Sequence, residues 1–355
     1  MRDDRLTFFK NLVEAPSPSG FEGPARAIWR GAVESSAATV HADRNGNTIA
    51  VHQPGGAPRV MLAGHIDEIG FMVTYIDDDG FLSIAAIGGQ DAAVAVGQRV
   101  QVHTSDGPLR GVVGRQPIHL MQGDEKGKGV KLTDLWIDLG VKDGATVAQR
   151  VRVGDPVTVD VGLEHLDDGR AVSRALDNKM GAFIVAETFK EAVARGAVAN
   201  LVAVATVQEE VGLRGAFTSV YSVDPAIGIA VDVTHALDHP GAGSAKKRLG
   251  DIRLGKGPVI GRGPTANPTV VERLIAAAEE AGIPYQLEAM PGSSGTDADA
   301  LQRGRGGVAA AVVSVALRYM HTPVEVIDLD DVEQTIALLT EFVCRLDGDV
   351  DLIPR

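Results

Sequence analysis

The sequence contains one cysteine, Cys344, among 355 residues. A single thiol excludes an intramolecular disulfide and any metal site built from several cysteines, and it fits an intracellular, reducing setting. Cys344 lies in the apolar pattern IALLTEFVCRL, which predicts that it fills space in the core.

Long apolar runs are also absent. No segment approaches the roughly 18 apolar residues that a membrane span needs. The first residues, MRDDRLTFFK, include acids and lack the apolar core of a signal peptide. We therefore expect a soluble, cytoplasmic protein with no membrane partner.

Positive charge is scarce. The chain has 34 Lys and Arg against 47 Asp and Glu, a net charge of −13. Because proteins bind nucleic acid through Lys and Arg that neutralise phosphates, this balance argues against a nucleic acid partner. It suits a site that collects cations.

The remaining composition, with 45% hydrophobic residues, 42 Gly and 17 Pro, is typical of a globular α/β protein with many tight turns. A chain of this length exceeds one ordinary hydrophobic core, so about two domains are expected. Apolar periodicity predicts helices at 5–15, 22–36, 178–194, 213–221, 268–282 and 330–346, and strands at 58–65, 200–207, 226–231 and 310–316.

The pattern changes between residues 69 and 166. Short β-rich segments such as GFMVTYI, QRVQVHT and DPVTVDV are separated by Gly and Asp turns, and no long helix is predicted. We interpret this stretch as an all-β insertion into an α/β domain. The predicted organisation is an α/β domain formed by 1–68 and 167–355, interrupted by a β-barrel-like domain at 69–166.

Histidines and acids stand where the predicted α/β elements begin or end. In open α/β sheets, ligands bind outside the carboxyl ends of the strands, so these side chains are expected at one edge of the sheet. The residues are His65, Asp67, Asp177, Glu209, Glu210, Asp232 and His321.

Each of these residues alone has an ordinary explanation. Asp177 could cap the helix that follows it, Asp232 could belong to a turn, and a histidine after a strand is often a surface or core residue. Together, two imidazoles and three carboxylates without thiolates suit a pair of Zn²⁺, Co²⁺ or Mn²⁺ ions better than one closed structural zinc.

The adjacent Glu209 and Glu210 repel each other unless something positive lies between them. A pair of metal ions explains them, because one carboxylate can bind a metal while its neighbour takes a proton from metal-bound water. Repulsion and partial burial would keep the pKa of this base high enough to accept a proton near neutral pH. Asp67, two residues from His65, either orients that imidazole or is a turn residue.

Six segments occur in a characteristic order: AGHIDEIGFMV, IGGQDAAVAVGQRV, SRALDNKMGA, VQEEVGLRGA, AVDVTHA and YMHTPVEVIDLDDVE. Together they resemble the M42 family of metalloaminopeptidases, the group of glutamyl aminopeptidases and TET peptidases. The resemblance extends from about residue 5 to residue 346. It implies a mixed central sheet flanked by helices, as in zinc exopeptidases, and an enzyme that removes residues from the free N-terminus of peptides.

The resemblance also implies a ligand set. Asp177 would bridge two divalent ions, Zn²⁺ or Co²⁺. His65 and Asp232 would complete one metal site, and Glu210 and His321 would complete the other.

The resemblance makes Glu209 the general base, which takes a proton from the metal-bridging water that attacks the scissile carbonyl. Asp67 would be the supporting acid beside His65. The family also has a cis peptide after its bridging aspartate, which here would join Asp177 to Asn178.

Substrate-side residues and assembly follow from the same resemblance. Gly295, Thr296 and Asp297 match a family segment that lines the substrate site, although MPGSSGTDADALQ alone also fits a flexible loop with a helix cap. His119 matches a position that could reach a neighbouring subunit's site. The insertion would be a dimerisation domain, and dimers would form a tetrahedral shell of twelve subunits that admits unfolded peptides.

Two loops invite other interpretations. GDIRLGKG (250–257) has the Gly and Lys spacing of a phosphate-binding loop, but Gly257 stands where Ser or Thr would hold Mg²⁺, so nucleotide binding is not predicted. GSAKKRLG (243–250) could contact acidic side chains or lie in solvent.

Rival functions stay open. A related deacylase or carboxypeptidase would use the same two-metal chemistry, and a metal-stabilised assembly or peptide-binding scaffold would be a non-catalytic alternative. A glycosidase would need two carboxylates without metals, which the histidines disfavour. The sequence indicates neither the preferred N-terminal side chain nor the native metal.

Overall fold

A computed structural model describes residues 1–123, 128–348 and 350–354. The strands are β1 (Thr39–Ala42), β2 (Thr48–His52), β3 (Arg59–His65), β4 (Gly70–Ile76), β5 (Leu82–Ile87), β6 (Arg99–Thr104), β7 (Gly107–Arg115), β8 (Leu135–Asp138), β9 (Pro156–Val159), β10 (Glu164–His165), β11 (Arg170–Ser173), β12 (Asn200–Thr206), β13 (Ile227–His235), β14 (Val259–Arg262), β15 (Gln286–Ala289), β16 (Ala309–Leu317) and β17 (Glu325–Asp328). The α-helices are α1 (Asp3–Glu14), α2 (Gly23–Val33), α3 (Ala92–Ala95), α4 (Gly144–Ala148), α5 (Leu176–Ala194), α6 (Arg214–Val223), α7 (Lys246–Leu249), α8 (Pro268–Ala281), α9 (Ala298–Leu301) and α10 (Leu329–Cys344).

The central sheet has eight strands in the order β1-β2-β12-β3-β13-β16-β14-β15. Its four middle strands, β12, β3, β13 and β16, are parallel, whereas β2 and β14 join them antiparallel. Parallel strands are covered on both faces and therefore read as continuous apolar runs. The four strands predicted from such runs are these four, and the mixed sheet that the sequence predicts is confirmed.

Helices cover both faces of this sheet. Successive strand residues point to opposite faces, so Val60 and Leu62 of β3 join one core while Met61 and Ala63 join another. The first core lies under α1, α2, α5, α8 and α10, and the second lies under α6 and α9. The fold is therefore the α/β class with flanking helices that the sequence indicates.

A closed barrel of six strands, in the order β4-β5-β8-β7-β6-β9, follows β3 in the chain. It has its own apolar core, which includes Phe71, Leu82, Val100 and Ile137. The two α-helices described in this stretch, α3 and α4, have four and five residues. Because Gly70 begins the barrel only five residues after His65 ends β3, the barrel adjoins the carboxyl edge of the central sheet.

A small sheet, β10-β11-β17, connects two distant parts of the chain. Ser173 of β11 pairs with Glu325 of β17 in an antiparallel register. Since β11 leads into α5 and β17 follows the segment after β16, this pairing brings Asp177 near His321.

The remaining sequence expectations concern single residues and loops. Cys344 is partly buried at the end of α10 and packs against the first core. In the GDIRLGKG loop, the backbone amides of Gly255 and Gly257 each donate a 2.7 Å hydrogen bond to the Asp331 carboxylate. These amides therefore bind a carboxylate of the chain itself and not a phosphate. No helix among the described residues combines the length and apolar character needed to cross a membrane.

Candidate active site

The site lies at the carboxyl edge of the parallel strands, where ligands of open α/β sheets bind. His65 ends β3, and Asp232 lies near the end of the neighbouring β13. Glu209 and Glu210 follow β12, and His321 follows β16. The strand order therefore brings together side chains that are far apart in the sequence.

Asp177 joins this group because α5 lies directly against the sheet. A Cβ on Gly64 would be 2.6 Å from the carbonyl carbon of Gly181, and a Cβ on Gly181 would be 2.5 Å from the Val231 oxygen. The buried Asn178 donates to that oxygen at 2.8 Å and accepts from the Gly181 amide at 3.0 Å. The Asp177–Asn178 peptide bond is cis, as the resemblance implied.

The two carboxylate oxygens of Asp177 face different imidazoles. Oδ1 lies 3.3 Å from His65 Nε2, and Oδ2 lies 3.4 Å from His321 Nε2. Asp232 Oδ1 is 3.8 Å from the first imidazole, and Glu210 Oε2 is 3.4 Å from the second. Asp177 is thus the shared member of two neighbouring groups of donors.

Glu209 belongs to the same cluster. Its Oε2 lies 3.7 Å from His65 Nε2. Donor atoms of His65, Glu209 and Asp232 lie within 4.8 Å of one another, and so do those of His65, Asp177 and Glu210. A proton acceptor therefore stands beside the positions where cations would bind.

Asp67 supports both glutamates through their backbone. Its carboxylate accepts hydrogen bonds from the amides of Glu209 at 3.0 Å and Glu210 at 3.2 Å, and from the hydroxyl of Ser19 at 2.6 Å. The backbone carbonyl oxygen of Asp67 lies 3.2 Å from His65 Nδ1. Asp67 Oδ1 lies 3.5 Å from the same nitrogen. Asp67 thus faces the imidazole with both its main chain and its carboxylate, and the carboxylate also fixes the turn that carries the two glutamates.

Glu325 is a supporting residue that the sequence analysis missed. Its buried carboxylate accepts hydrogen bonds from the Asp177 amide at 3.1 Å and the His321 amide at 2.9 Å. Its position in YMHTPVEV, four residues after His321, is the only sequence signal. The β11–β17 pairing provides its contact with Asp177.

The acids and histidines of the site shift one another's pKa values strongly. Burial raises the pKa of Glu209 to about 10. The nearby His65 acts against this increase, and the negative charge of Asp232 adds to it. Burial also raises the pKa of Asp232 well above its ordinary range. Hydrogen bonds to Asp177 and Glu210 raise the pKa of His321 to about 11. Acids gathered at this density favour any cation that enters.

The donor set fits divalent metal ions. Glu210 Oε1 is buried and has no hydrogen-bond partner among the described residues. An unpaired buried carboxylate oxygen is costly, and metal coordination is one of the few ways to satisfy it. Imidazole and carboxylate donors without thiolates suit Zn²⁺ and Co²⁺.

A cavity of about 630 Å³ opens from this cluster. Gly295 and Thr296 line it, as expected for substrate-side residues. Asp297 is buried outside the lining, and its Oδ2 accepts a 2.5 Å hydrogen bond from Thr206. His119 lies on an exposed turn of the barrel and does not line the cavity.

Comparison with known sequences gives a match over most of the chain. A sequence model of the family described as M42 glutamyl aminopeptidase matches residues 46–338. The chain is 36% identical to the lysyl aminopeptidase of Pyrococcus furiosus over 335 residues, which is 93% of this chain and 94% of that protein.

Solved structures agree with the sequence comparison. The TET aminopeptidase of a marine sediment archaeon of the Thaumarchaeota has a TM-score of 0.92 at 34% identity, over 97% of each chain. The TET1 peptidase of Pyrococcus horikoshii, described as able to assemble into a tetrahedron or a large octahedral shell, has a TM-score of 0.85 at 29% identity, over 96% of this chain and 100% of that one.

Proposed function

The chain belongs to the M42 aminopeptidase family and hydrolyses peptides at the N-terminus, and from this premise we propose that it works with two divalent metal ions around Asp177. One observation carries the proposal. The two oxygens of Asp177 lie within 3.4 Å of imidazole nitrogens from His65 and His321, as a carboxylate shared by two metal sites requires.

We assign the ligands by their positions around Asp177. His65 and Asp232 would hold one ion, and Glu210 and His321 the other, with Zn²⁺ or Co²⁺ as the metal. When bound, the two ions supply the positive charge that acidifies an attacking water molecule and polarises the scissile carbonyl. The free α-amine of the substrate would bind at the same centre.

Glu209 is the proposed general base. Its carboxylate takes the proton of the attacking water and returns it to the leaving amine. Burial raises the pKa of Glu209 in the metal-free protein, and adjacent cations would lower that pKa toward neutrality. The hydrogen bond from the Glu209 amide to Asp67 fixes the backbone that carries this base.

We further propose that the barrel domain, 69–166, is a dimerisation domain inserted into a catalytic domain formed by 1–68 and 167–355, and that dimers build a dodecamer. The assembly described for the P. horikoshii TET1 peptidase supports this proposal. Ile118 and Leu120, on the barrel turn that carries His119, are 60% and 65% exposed. Burial of these side chains in a partner would place His119 near the neighbouring subunit.

The solution mass tests the assembly. We expect the wild-type protein to have a mass near that of twelve chains. We expect the double variant with Ile118→Asp and Leu120→Asp to form smaller assemblies. A monomeric wild-type protein would contradict the proposal.

The substrate experiment compares amino-acid p-nitroanilides that have a free α-amine with their N-acetylated counterparts, on protein stripped with a chelator and reloaded with Zn²⁺ or Co²⁺. An aminopeptidase cleaves the free-amine compounds only after metal is restored. Release of acetate from the blocked compounds would instead support a deacylase. Absence of turnover with every substrate and metal would support a scaffold.

A further inference from the structure

A second group of polar atoms lies in the same cavity, away from the metal ligands. Glu288 on β15 and Ser314 on β16 both line the cavity, and they are 8% and 1% exposed. Glu288 Oε1 accepts a 3.0 Å hydrogen bond from Thr234 Oγ1. Glu288 Oε2 and Ser314 Oγ have no hydrogen-bond partner among the residues that the structure describes.

This group is connected to the strand that carries the proposed metal ligand Asp232. Ser314 pairs directly with Asp232 in the β13–β16 register. Thr234 follows Asp232 by two residues on the same strand, so both point to the same face at a separation of about 7 Å. Thr234, which holds the Glu288 carboxylate, therefore lies on the same face of β13 as the proposed metal ligand Asp232.

The other acid in this part of the cavity is already satisfied. The Asp299 carboxylate accepts hydrogen bonds from the hydroxyls of Thr265 and Ser293 and from the amides of Ser294 and Gly295. It is a structural acid that holds its own loop. Glu288, by contrast, keeps one oxygen unpaired.

No Lys or Arg occurs among the described residues that line the cavity. Partial desolvation lowers the pKa of His235, an exposed residue at the end of β13, which disfavours its charged form. The basic residues of α7 also stay outside the lining, where Lys246 pairs with Asp251 at 2.7 Å. Outside the proposed metal centre, the described lining therefore offers no Lys or Arg to an acidic substrate side chain, and of GSAKKRLG only Leu249 and not its basic residues lines the cavity.

The lining also suits an aliphatic stem. Leu249, Met290 and Met320 line the cavity together with Glu288. Lysine and arginine combine a flexible apolar stem with a charged end that donates several hydrogen bonds. The charged end of such a side chain would satisfy Glu288 Oε2, which removes the cost of leaving that buried oxygen unpaired.

We propose that Glu288, with Thr234 and Ser314, forms the pocket for the side chain of the substrate's N-terminal residue, and that it selects lysine and arginine. The inference rests on the proposed function, because it presumes that a peptide N-terminus binds at the metal centre. It adds the substrate class and the residue that determines it.

The test measures kcat/KM on the metal-loaded wild-type enzyme with Lys, Arg, Leu and Glu p-nitroanilides. We expect kcat/KM for the Lys and Arg substrates to exceed kcat/KM for the Leu substrate. We expect the value for Lys to exceed that for Glu by about tenfold or more, because one charge-assisted hydrogen bond has an effect of this size. A preference for Leu or Glu would overturn the inference. Failure of all four substrates would overturn the proposed function and the inference with it, so the two failures are distinguishable.

Two variants test the assigned residue. Glu288→Gln keeps the shape and removes the charge, so the Lys-to-Leu ratio of kcat/KM should fall about tenfold, mainly through KM for the lysyl substrate. Glu288→Lys should shift the preference toward the glutamyl substrate. The matched control is Glu272→Gln, an exposed residue of α8 that pairs with Arg262 outside the cavity. An unchanged ratio in folded Glu288→Gln would overturn the assignment.

Discussion

Gly64 of β3 and Gly181 of α5 are in direct backbone contact. A Cβ at Gly64 would be 2.6 Å from the Gly181 carbonyl carbon, closer than side-chain atoms approach. The absence of both side chains lets α5 lie on the sheet and brings Asp177 to within 3.3 Å of His65. The site therefore depends on two residues that carry no functional group.

Gly64→Ala should disturb this contact. We expect a loss of about 1–3 kcal/mol in the free energy of unfolding, because an added methyl group must push backbone atoms apart. Gly31→Ala is the matched control, since a Cβ there meets nothing within 4 Å on the exposed side of α2. It should be neutral or stabilising by about 0.5–1 kcal/mol. Urea unfolding measures both, and equal stabilities would contradict the packing argument.

Glu209→Gln should separate proton transfer from metal binding. Glutamine has a similar size but cannot accept the proton, so kcat should fall by about 10²–10⁴-fold. The five proposed ligands remain, so metal content measured by mass spectrometry should stay at two ions per chain. Hydrolysis at the wild-type rate would rule out Glu209 as the base.

Glu325→Gln should weaken metal retention without changing any proposed ligand. In Glu325 each carboxylate oxygen accepts one hydrogen bond, from the backbone amide of Asp177 or of His321. Glutamine has only one acceptor oxygen, so one of these two segments loses the hydrogen bond that holds its metal ligand in place. Supporting residues of this kind typically account for about 10–100-fold in metal affinity. Competition with a chelator measures the loss, and Glu34→Gln, an exposed residue of the Arg30 ion pair, provides the control. An affinity equal to that of the wild type would contradict the positioning role.

Metal uptake should release protons. The pKa of His321 is raised to about 11 and that of Glu209 to about 10 in the metal-free protein, so both are protonated near pH 7.5. His321 must lose its proton to bind a metal ion, and a cation beside Glu209 favours its ionised form. Metal affinity should therefore rise with pH and fall on acidification. Calorimetry in buffers of different ionisation enthalpy measures the protons released, and a pH-independent affinity would contradict these protonation states.

Much of the site can be predicted from the sequence, and the reason is topological. The runs 200–207 and 310–316 are mostly apolar, with Asn200, Thr206 and Ser314 as exceptions, because their strands are covered on both faces. Such strands lie side by side in a parallel sheet, so residues just beyond their ends meet at one edge. This rule is sufficient to bring together His65, Asp232 and His321 before any coordinates are known.

The supporting contacts could not be predicted in the same way. Ser19 and Glu325 act through hydrogen bonds with residues far away in the sequence, and such bonds have no periodicity or spacing. Whether Thr296 or Asp297 lines the cavity depends on the path of the loop, which places one in the lining and the other against Thr206. Glu288 gives no sequence signal, because only the tertiary structure shows that its carboxylate is buried and half satisfied.

Anomalous diffraction from crystals loaded with Zn²⁺ or Co²⁺ would locate the metal ions themselves. We expect two peaks per chain on either side of the Asp177 carboxylate, one beside His65 and Asp232 and the other beside Glu210 and His321. No peak at Asp177, or a single ion that Asp177 does not share, would contradict the proposed two-metal site.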